Sequence, residues 1–484
     1  MSSNFKFTDG QTVRNFDDIF VTRNDTIYTD PVAGPGDFTV DGDDIQNYFV
    51  DDESDVDAKF GEALLTWGNN SNGQLGINNT TNKLTPVPTS AGGSTWAQIS
   101  HGGRHAAAIK TDGKLWTWGR NTYGQLGHND TTQRNTPTQL GTATSWKRVS
   151  CGGRTTTNAF TAAIKTDGTF WTWGRNSYGQ LGHNHSSQRN TPTQLGTATT
   201  WTQLSCGGHH MAGIKSDGTL WLWGKNSYGQ LGIRRRGSSH HRSTPVTTFV
   251  GGTNWRQVSC GREFTLAVKT DGTLWVWGRN NTRQLGLGPG NTSDRSVPTQ
   301  LGTSTMWRKV SGGVDHSSAI KTDGTLWLWG SGGGGELGNN QTSGAFTKSS
   351  PVTTFAGGTN WKQVELGYRF STATKTDGTL WTWGNQSLGT GNLGINVSGS
   401  QRSTPCEVFG QATNWKQVSA GEHSTMAVKS KQSSGSPSIP VTNYKDSNGI
   451  DLGRKLVTQA YYTCLLYTSP SPRDLSTSRM PSSA

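Results

Sequence analysis

Hydrophobic and polar positions alternate with a period of two through most of this chain, in short runs closed by glycine. Ala107-Ala108-Ile109-Lys110 passes from small to apolar to charged, as a half-buried strand does. Thr111-Asp112-Gly113 follows, and Asp-Gly between two apolar runs predicts a hairpin with a type I′ turn. Leu115-Trp116-Thr117-Trp118-Gly119 reads as the return strand, then come a Gly-Gln-Leu-Gly turn, a polar loop and Thr-Pro. Proline there suits an edge strand or a strand start. The pattern predicts three or four antiparallel strands per unit of about 50 residues.

The unit recurs seven times. The Trp of [LW]-x-W-G falls at Trp67, Trp118, Trp173, Trp223, Trp277, Trp329 and Trp383. A second Trp, opening a W-x-x-[VIL] strand, falls at Trp96, Trp146, Trp201, Trp255, Trp307, Trp361 and Trp415. With the first Trp of six W-x-W-G copies, these account for all 20 Trp. Six residues after each strand-opening Trp stands Gly, and eight further on stands Lys, except that one unit reaches Lys165 only after a five-residue insertion. Seven such units predict an all-β fold, a seven-bladed β-propeller. The first copy starts late, at Ala63, and the last stops early, at Lys429, with no Asp-Gly turn after it. The N-terminal strand is therefore expected to complete the seventh blade and close the ring, so that N- and C-terminal strands share one blade.

Composition agrees. Only 30% of residues are hydrophobic and 65 of 484 are Gly, which excludes a large helical core. There is no apolar run of membrane-spanning length, the first residues lack a secretory pattern, and five Cys do not make a disulfide framework. Residues 1–62 hold 4 Lys/Arg against 15 Asp/Glu, a net of −11, whereas residues 63–430 hold 34 against 14, a net of +20. The expected division is an acidic arm (1–62), the propeller (63–430), a short C-terminal segment (431–463) and a tail (464–484) that resembles translated sequencing-adapter read-through.

The motif W-x-W-G-x-N-x-x-G-Q-L-G, with G-x-x-H and A-I-K-T-D-G upstream, resembles the repeats of the regulator of chromosome condensation family. That resemblance covers about residues 63–430 and implies the propeller fold. It implies less about function, because the family includes a GTPase exchange factor, a plant UV-B photoreceptor and a bacterial β-lactamase inhibitor. The photoreceptor's Trp cluster sits in G-W-R-H-T, and the matching run here, Gly102-Gly103-Arg104-His105-Ala106, has Gly in the Trp position. The chromatin-bound exchange factor has a basic arm, and this arm is acidic.

No catalytic motif, metal-ligand spacing or cofactor signature is present, so no enzyme activity, metal or cofactor is expected. Cys151, Cys206 and Cys260 share one repeat position and read as small buried residues, while His105, His210 and His316 exchange with Phe264 and Phe370 and read as an aromatic slot. Positive charge is organised. Lys110, Lys165, Lys215, Lys269, Lys321 and Lys375 end a strand two residues before an Asp, which is expected to offset them. Arg120, Arg175, Lys225 and Arg279 follow W-x-W-G without such a partner, with Tyr123, Tyr178 and Tyr228 three residues on. Arg234, Arg235, Arg236 and Arg242 form the densest basic loop. From Gly-Gln-Leu-Gly to Pro the loops span 10 residues after Gly76, Gly127 and Gly182 but 13 after Gly232. Length variation on a fixed scaffold marks a binding face. These eleven residues are the candidate binding site for a protein or an acidic, polyanionic partner; nucleic acid is a less favoured ligand. The stretches 5–21 and 444–462 resemble segments flanking repeat domains in virion proteins of marine tailed phages. The reading is a non-catalytic binding propeller of a virion, with an intracellular regulator resembling the small-GTPase exchange factors as the alternative and cytoplasm as the other location.

Overall fold

In each repeat the period-two runs fold as four antiparallel strands, hydrogen-bonded in chain order. The computed structural model describes residues 63–430, apart from 93–94, 154–157, 342–346, 387–389, 398 and 400, together with the short strands Ser3–Asn4, Phe7–Thr8, Val13–Arg14, Thr39–Val40, Asn443–Lys445 and Asp451–Arg454. Blade 1 consists of Trp96–His101, His105–Lys110, Leu115–Gly119 and Arg134–Gln139. Blades 2 to 6 open at Trp146, Trp201, Trp255, Trp307 and Trp361 in the same order. Blade 7 pairs Trp415–Ala420 and Ser424–Lys429 with Ala63–Gly68 and Lys83–Pro88. The chain start thus contributes two strands to the last blade, where the sequence reading expected one, because the outer strand of every blade follows its W-x-W-G strand. The innermost strands of neighbouring blades touch all the way round, blade 7 against blade 1 included.

Chain division gives two units, Met1–Lys431 and Gln432–Ala484. In the second, Asn443–Lys445 pairs with Asp451–Arg454. No helix among the described residues is long and apolar enough to cross a membrane.

The Thr-Asp-Gly turns differ from the expected type I′. Lys110 pairs with Lys114 across three loop residues, and only Gly113 has a positive φ, 77°. This is the three-residue hairpin in which a right-handed pair precedes a left-handed glycine. Asp112 Oδ1 accepts the Lys114 amide at 3.0 Å, and a Cβ on Gly113 would collide with the carbonyl of Thr144.

Blades interlock through repeated side chains. Trp118 is fully buried and its indole N–H donates to Gln74 O of the preceding blade at 3.0 Å; Trp173 does the same to Gln125 O and Trp277 to Gln230 O. The inner strands of neighbouring blades share no sheet, and side chains bridge them. The Gln98 amide both donates to Val149 O and accepts Val149 N, and Ser100 Oγ accepts Cys151 N. Each strand-end Lys lies over a pair of Trp rings rather than against the Asp expected to offset it: Lys110 Nζ is 4.9 Å from the Trp96 centroid and 4.6 Å from that of Trp116. Those two rings meet edge to face at 6.2 Å. Every Thr-Asp-Gly turn lies at one end of its blade, the turn face. The loops joining inner to second strands, and third to outer strands, lie at the other end, the loop face.

Candidate docking face

Strand direction places the candidate cations. Arg120, Arg175, Lys225 and Arg279 each follow the last residue of a third strand and emerge on the loop face, where the loops of variable length also lie. The Asn that follows makes the loop rigid. Asn121 Oδ1 accepts Leu126 N at 2.9 Å, and its amide donates to Asp130. Gln125 Oε1 then accepts Tyr123 N at 2.8 Å, which fixes where the tyrosine starts.

The aromatic and cationic residues of adjacent blades meet. Arg175 of blade 2 lies 4.4 Å from the Tyr123 centroid of blade 1. Lys225 of blade 3 lies 5.4 Å from Tyr178 of blade 2, and Arg279 of blade 4 lies 4.8 Å from Tyr228 of blade 3. The result is a ladder running across three blade joints, with each cation pinned on a ring by cation–π attraction. Arg120 holds the same repeat position in blade 1, with its Nε donating to Thr122 Oγ1 at 2.8 Å.

The ladder is not uniformly positive. Glu263, in the loop between the inner and second strands of blade 4, places Oε1 2.8 Å from Lys225 Nζ and Oε2 2.6 Å from Arg279 Nη1. Burial alone would raise this carboxyl; the two cations hold it below its ordinary value. Lys225 and Arg279 therefore do have acidic partners, contrary to the sequence reading. Glu263 went unnoticed because it is 38 and 16 residues from them. His209, the equivalent residue of blade 3, packs 5.4 Å from Tyr178, and burial, then Lys225, lowers it to about 4.

The basic loop of blade 3 lies apart from the ladder along the chain but on the same face. Arg234, Arg235 and Arg236 are exposed. Arg234 stacks at 5.1 Å on exposed Phe249, Arg236 reaches Asp294 at 3.4 Å, and Arg242 donates to His241 O. Arg120, Arg175, Arg234 and Arg235 have no carboxylate partner among the described residues.

The other candidates are structural. Cys151, Cys206 and Cys260 are buried and none is in a disulfide; burial pushes the Cys151 thiol up to about 12 and that of Cys206 well above its usual value, so those two thiols stay protonated. His105 and His210 are fully buried, and Nε2 meets Thr161 Oγ1 at 3.0 Å and Thr265 Oγ1 at 2.9 Å in the next blade. No group of three or more His, Cys, Asp or Glu among the described residues has the arrangement to hold a metal ion.

Comparison with known proteins agrees with this architecture. The family model of the regulator of chromosome condensation (RCC1) repeat matches residues 63–109, 112–157, 167–214, 217–268, 271–320, 323–374 and 377–428. The chain is 27% identical over 348 residues to the ultraviolet-B receptor UVR8 of Arabidopsis thaliana, covering 70% of this chain and 76% of that protein. A match at 27% over 294 residues to the E3 ubiquitin-protein ligase HERC2 of Mus musculus covers 58% of this chain but spans only 6% of the ligase. Among solved structures, Prp20p of Saccharomyces cerevisiae, whose binding to Gsp1p and histones is known, is similar with a TM-score of 0.66 at 19% identity. That likeness covers 79% of this chain and 95% of Prp20p, and bears on the fold alone.

Proposed function

The chain belongs to the regulator of chromosome condensation repeat family, and from that premise we propose that it is a non-catalytic binding propeller whose loop face receives an acidic or polyanionic partner. The ladder Tyr123–Arg175, Tyr178–Lys225, Tyr228–Arg279 carries this reading. Arg and Tyr are the residue types that anchor protein interfaces, and here cation–π contacts hold them in place before any partner arrives. The relatives with similar repeats have names that describe a receptor, a ligase and a protein that binds Gsp1p and histones, so the shared fold supports recognition rather than one chemistry.

Each exposed charge contact contributes only about 0.2–1 kcal/mol, so affinity comes from several acting together and weakens steeply with salt. The test is the quadruple charge reversal of Arg234, Arg235, Arg236 and Arg242 in the full chain. Binding is measured at low salt to sulfated glycans, nucleic acid and a peptide of residues 1–62. Loss of binding to one of them identifies the partner class; unchanged binding to all three removes the loop face.

The finer reading is a virion structural or attachment protein, with residues 1–62, 431–463 and 464–484 as segments outside the propeller at 63–430. It rests on the phage-like stretches 5–21 and 444–462, which lie almost wholly outside the described residues. Tail or baseplate genes flanking its gene would support it, and cytoplasmic regulatory genes there would favour the exchange-factor-like alternative.

A further inference from the structure

The innermost strands carry positive charge at one end of the propeller axis. Lys147, Arg256, Arg308, Lys362 and Lys416 each follow the strand-opening Trp, and Arg148 and Lys309 come next; the one carboxylate on these seven strands is Glu365. Trp146 pairs with Lys165 and Trp307 with Lys321, which open Thr-Asp-Gly turns, so these cations ring the axis at the turn-face end.

Bonds to the next blade hold the cations along the ring. Arg256 Nη2 donates to Trp307 O at 2.7 Å, Arg308 Nη2 to Trp361 O at 3.2 Å and Lys309 Nζ to Lys362 O at 2.9 Å. Among the described residues, no carboxylate lies within ion-pair distance of Lys147, Arg148, Arg256, Arg308, Lys309 or Lys362. Burial, then Arg308, lowers the Lys309 ammonium; Lys362 adds to this and Glu365 opposes it, as expected of crowded like charges.

The rest of the turn face selects what can meet the ring. Asp112, Asp167, Asp217, Asp271, Asp323 and Asp377 stand farther out, between the second and third strands of blades 1 to 6, and each accepts an amide of its own turn. A broad polyanion laid on this face meets the acidic fence first, whereas a single extended chain passes inside it. The fence is open at blade 7, where Lys429 ends the second strand and the third strand is Ala63–Gly68.

That opening is where residues 41–62 join the ring. Ala63 pairs with Lys429, which pairs with Trp415, so Ala63 lies two strand spacings, about 10 Å, outside the residue before Lys416. Residues 41–62 hold nine Asp or Glu against one Lys. Asp51 to Asp57 precede Ala63 by twelve to six residues. An extended chain of that length reaches about 20–40 Å, enough to cross from blade 7 onto the ring.

We propose that the cation ring at the turn-face end of the axis binds the chain's own segment 41–62, with Asp51, Asp52, Glu53, Asp55 and Asp57 over the arc from Lys416 through Lys362 and Lys309 to Arg256. The tether gives the segment an effective concentration of about millimolar order, so contacts that are weak one by one act together. The site lies on the face opposite the docking face, goes beyond that reading and stands without it. With the segment seated, the turn face is closed to other polyanions and the loop face stays open.

The test is zero-length carbodiimide cross-linking of the full chain at low salt, read by peptide mass spectrometry. Cross-links from residues 51–57 to Lys309, Lys362 or Lys416 are expected; cross-links to Lys225 on the loop face instead, or none, overturn the proposal. A mixture of isotope-labelled and unlabelled chains shows whether the links form within one copy, and links between copies overturn it too. Lys362→Glu with Lys416→Glu is expected to remove the links and to speed cleavage of the segment by an Asp-directed protease roughly tenfold. Adding Asp52→Lys and Glu53→Lys should restore the links. A second variant leaves the ring untouched: neutralising the five acids of 51–57 to amides is expected to raise acetylation of Lys362 and Lys416 about threefold, with Lys225 unchanged. Cleavage and acetylation at the rates of the unaltered chain overturn the proposal. Charge reversal of Arg234, Arg235, Arg236 and Arg242 should leave the cross-links in place; if it abolishes them, the segment belongs on the loop face and the proposal falls while loop-face docking stands.

Discussion

The indole nitrogen of Trp67 donates to the carbonyl of Asn392 at 3.1 Å, although 325 residues separate them. Trp67 is fully buried in the seventh blade and packs edge to face with Trp415 at 6.2 Å. One residue near the start of the described chain therefore ties the last blade both to itself and to blade 6.

Trp67→Ala is expected to cost about 3–5 kcal/mol, as truncation of a buried aromatic does. Removal of residues 1–88, which supplies both outer strands of blade 7, should produce aggregation or a much lower melting temperature, because Ser424–Lys429 becomes an exposed edge. Thermal melts with size-exclusion chromatography test this; a truncation that melts like the full chain contradicts ring closure. Truncation after residue 463 should leave the melt unchanged.

Acid should weaken the ring well above the pH at which ordinary carboxylates titrate. Burial drives His105 and His210 down to about 3 from an ordinary value of 6.5. Below about pH 6.5 the unfolded chain takes up protons that the folded chain refuses. Stability therefore falls with pH down to about 3, by about 1.4 kcal/mol per unit for each histidine. His210→Phe, mimicking Phe264 and Phe370 of blades 4 and 6, should remove one proton from the slope of unfolding free energy against pH. Urea melts between about pH 7 and pH 5 measure it; an unchanged slope rules out a neutral His210.

Two glycines with similar backbones separate strain from collision. Gly302 has φ 63° with open space where a Cβ would stand, whereas Gly272, at φ 79°, would drive a Cβ into Thr305 O. Gly302→Ala should cost about 1 kcal/mol from the left-handed backbone alone. Gly272→Ala should cost at least about 2 kcal/mol more, since the carbonyl it meets belongs to the connection leading into the next blade. Denaturant midpoints of the two variants give the difference directly.

Glu336 occupies the position that Gln125, Gln180 and Gln230 fill elsewhere and is fully buried. Its oxygens accept Ser331 Oγ at 2.8 Å and Gly334 N at 2.6 Å, and no cation faces them among the described salt bridges. Glu336→Gln keeps an acceptor for Gly334 and should stabilise by about 1 kcal/mol, because a buried charge without a partner is replaced by an amide. A fall in melting temperature would show that the charged acceptor is worth more than its desolvation.

The blade count and the phase of the ring are legible in the sequence because Trp67, Trp118 and their equivalents are set by local repeats. The loop face follows from strand direction once Arg120 is placed after a third strand. The electrostatics of the face were not legible. Glu263 meets Lys225 and Arg279 only after two blades have closed on each other, and the available signal was that its repeat position carries Arg104, His209, Asp315, Arg369 and His423 in other blades. The strand-end lysines misled in a similar way. An Asp two residues on looks like a partner, but Asp112 pairs with Lys114 at 2.9 Å while Lys110 points back over Trp96 and Trp116.

The register of blade 7 has a mechanical consequence. Ala63 pairs with Lys429 and Gly68 with Ser424, so the two strands that close the ring begin and end at the same edge, on the turn face. Tension applied between the residues before Ala63 and those after Lys429 falls on that first pair alone and then on each pair in turn, as in a zipper. Load carried across the loop face by a docked partner is instead spread over every blade. An attachment that holds both ends on one support never strains the seam, and one that pulls them apart opens the propeller at the Ala63–Lys429 pair.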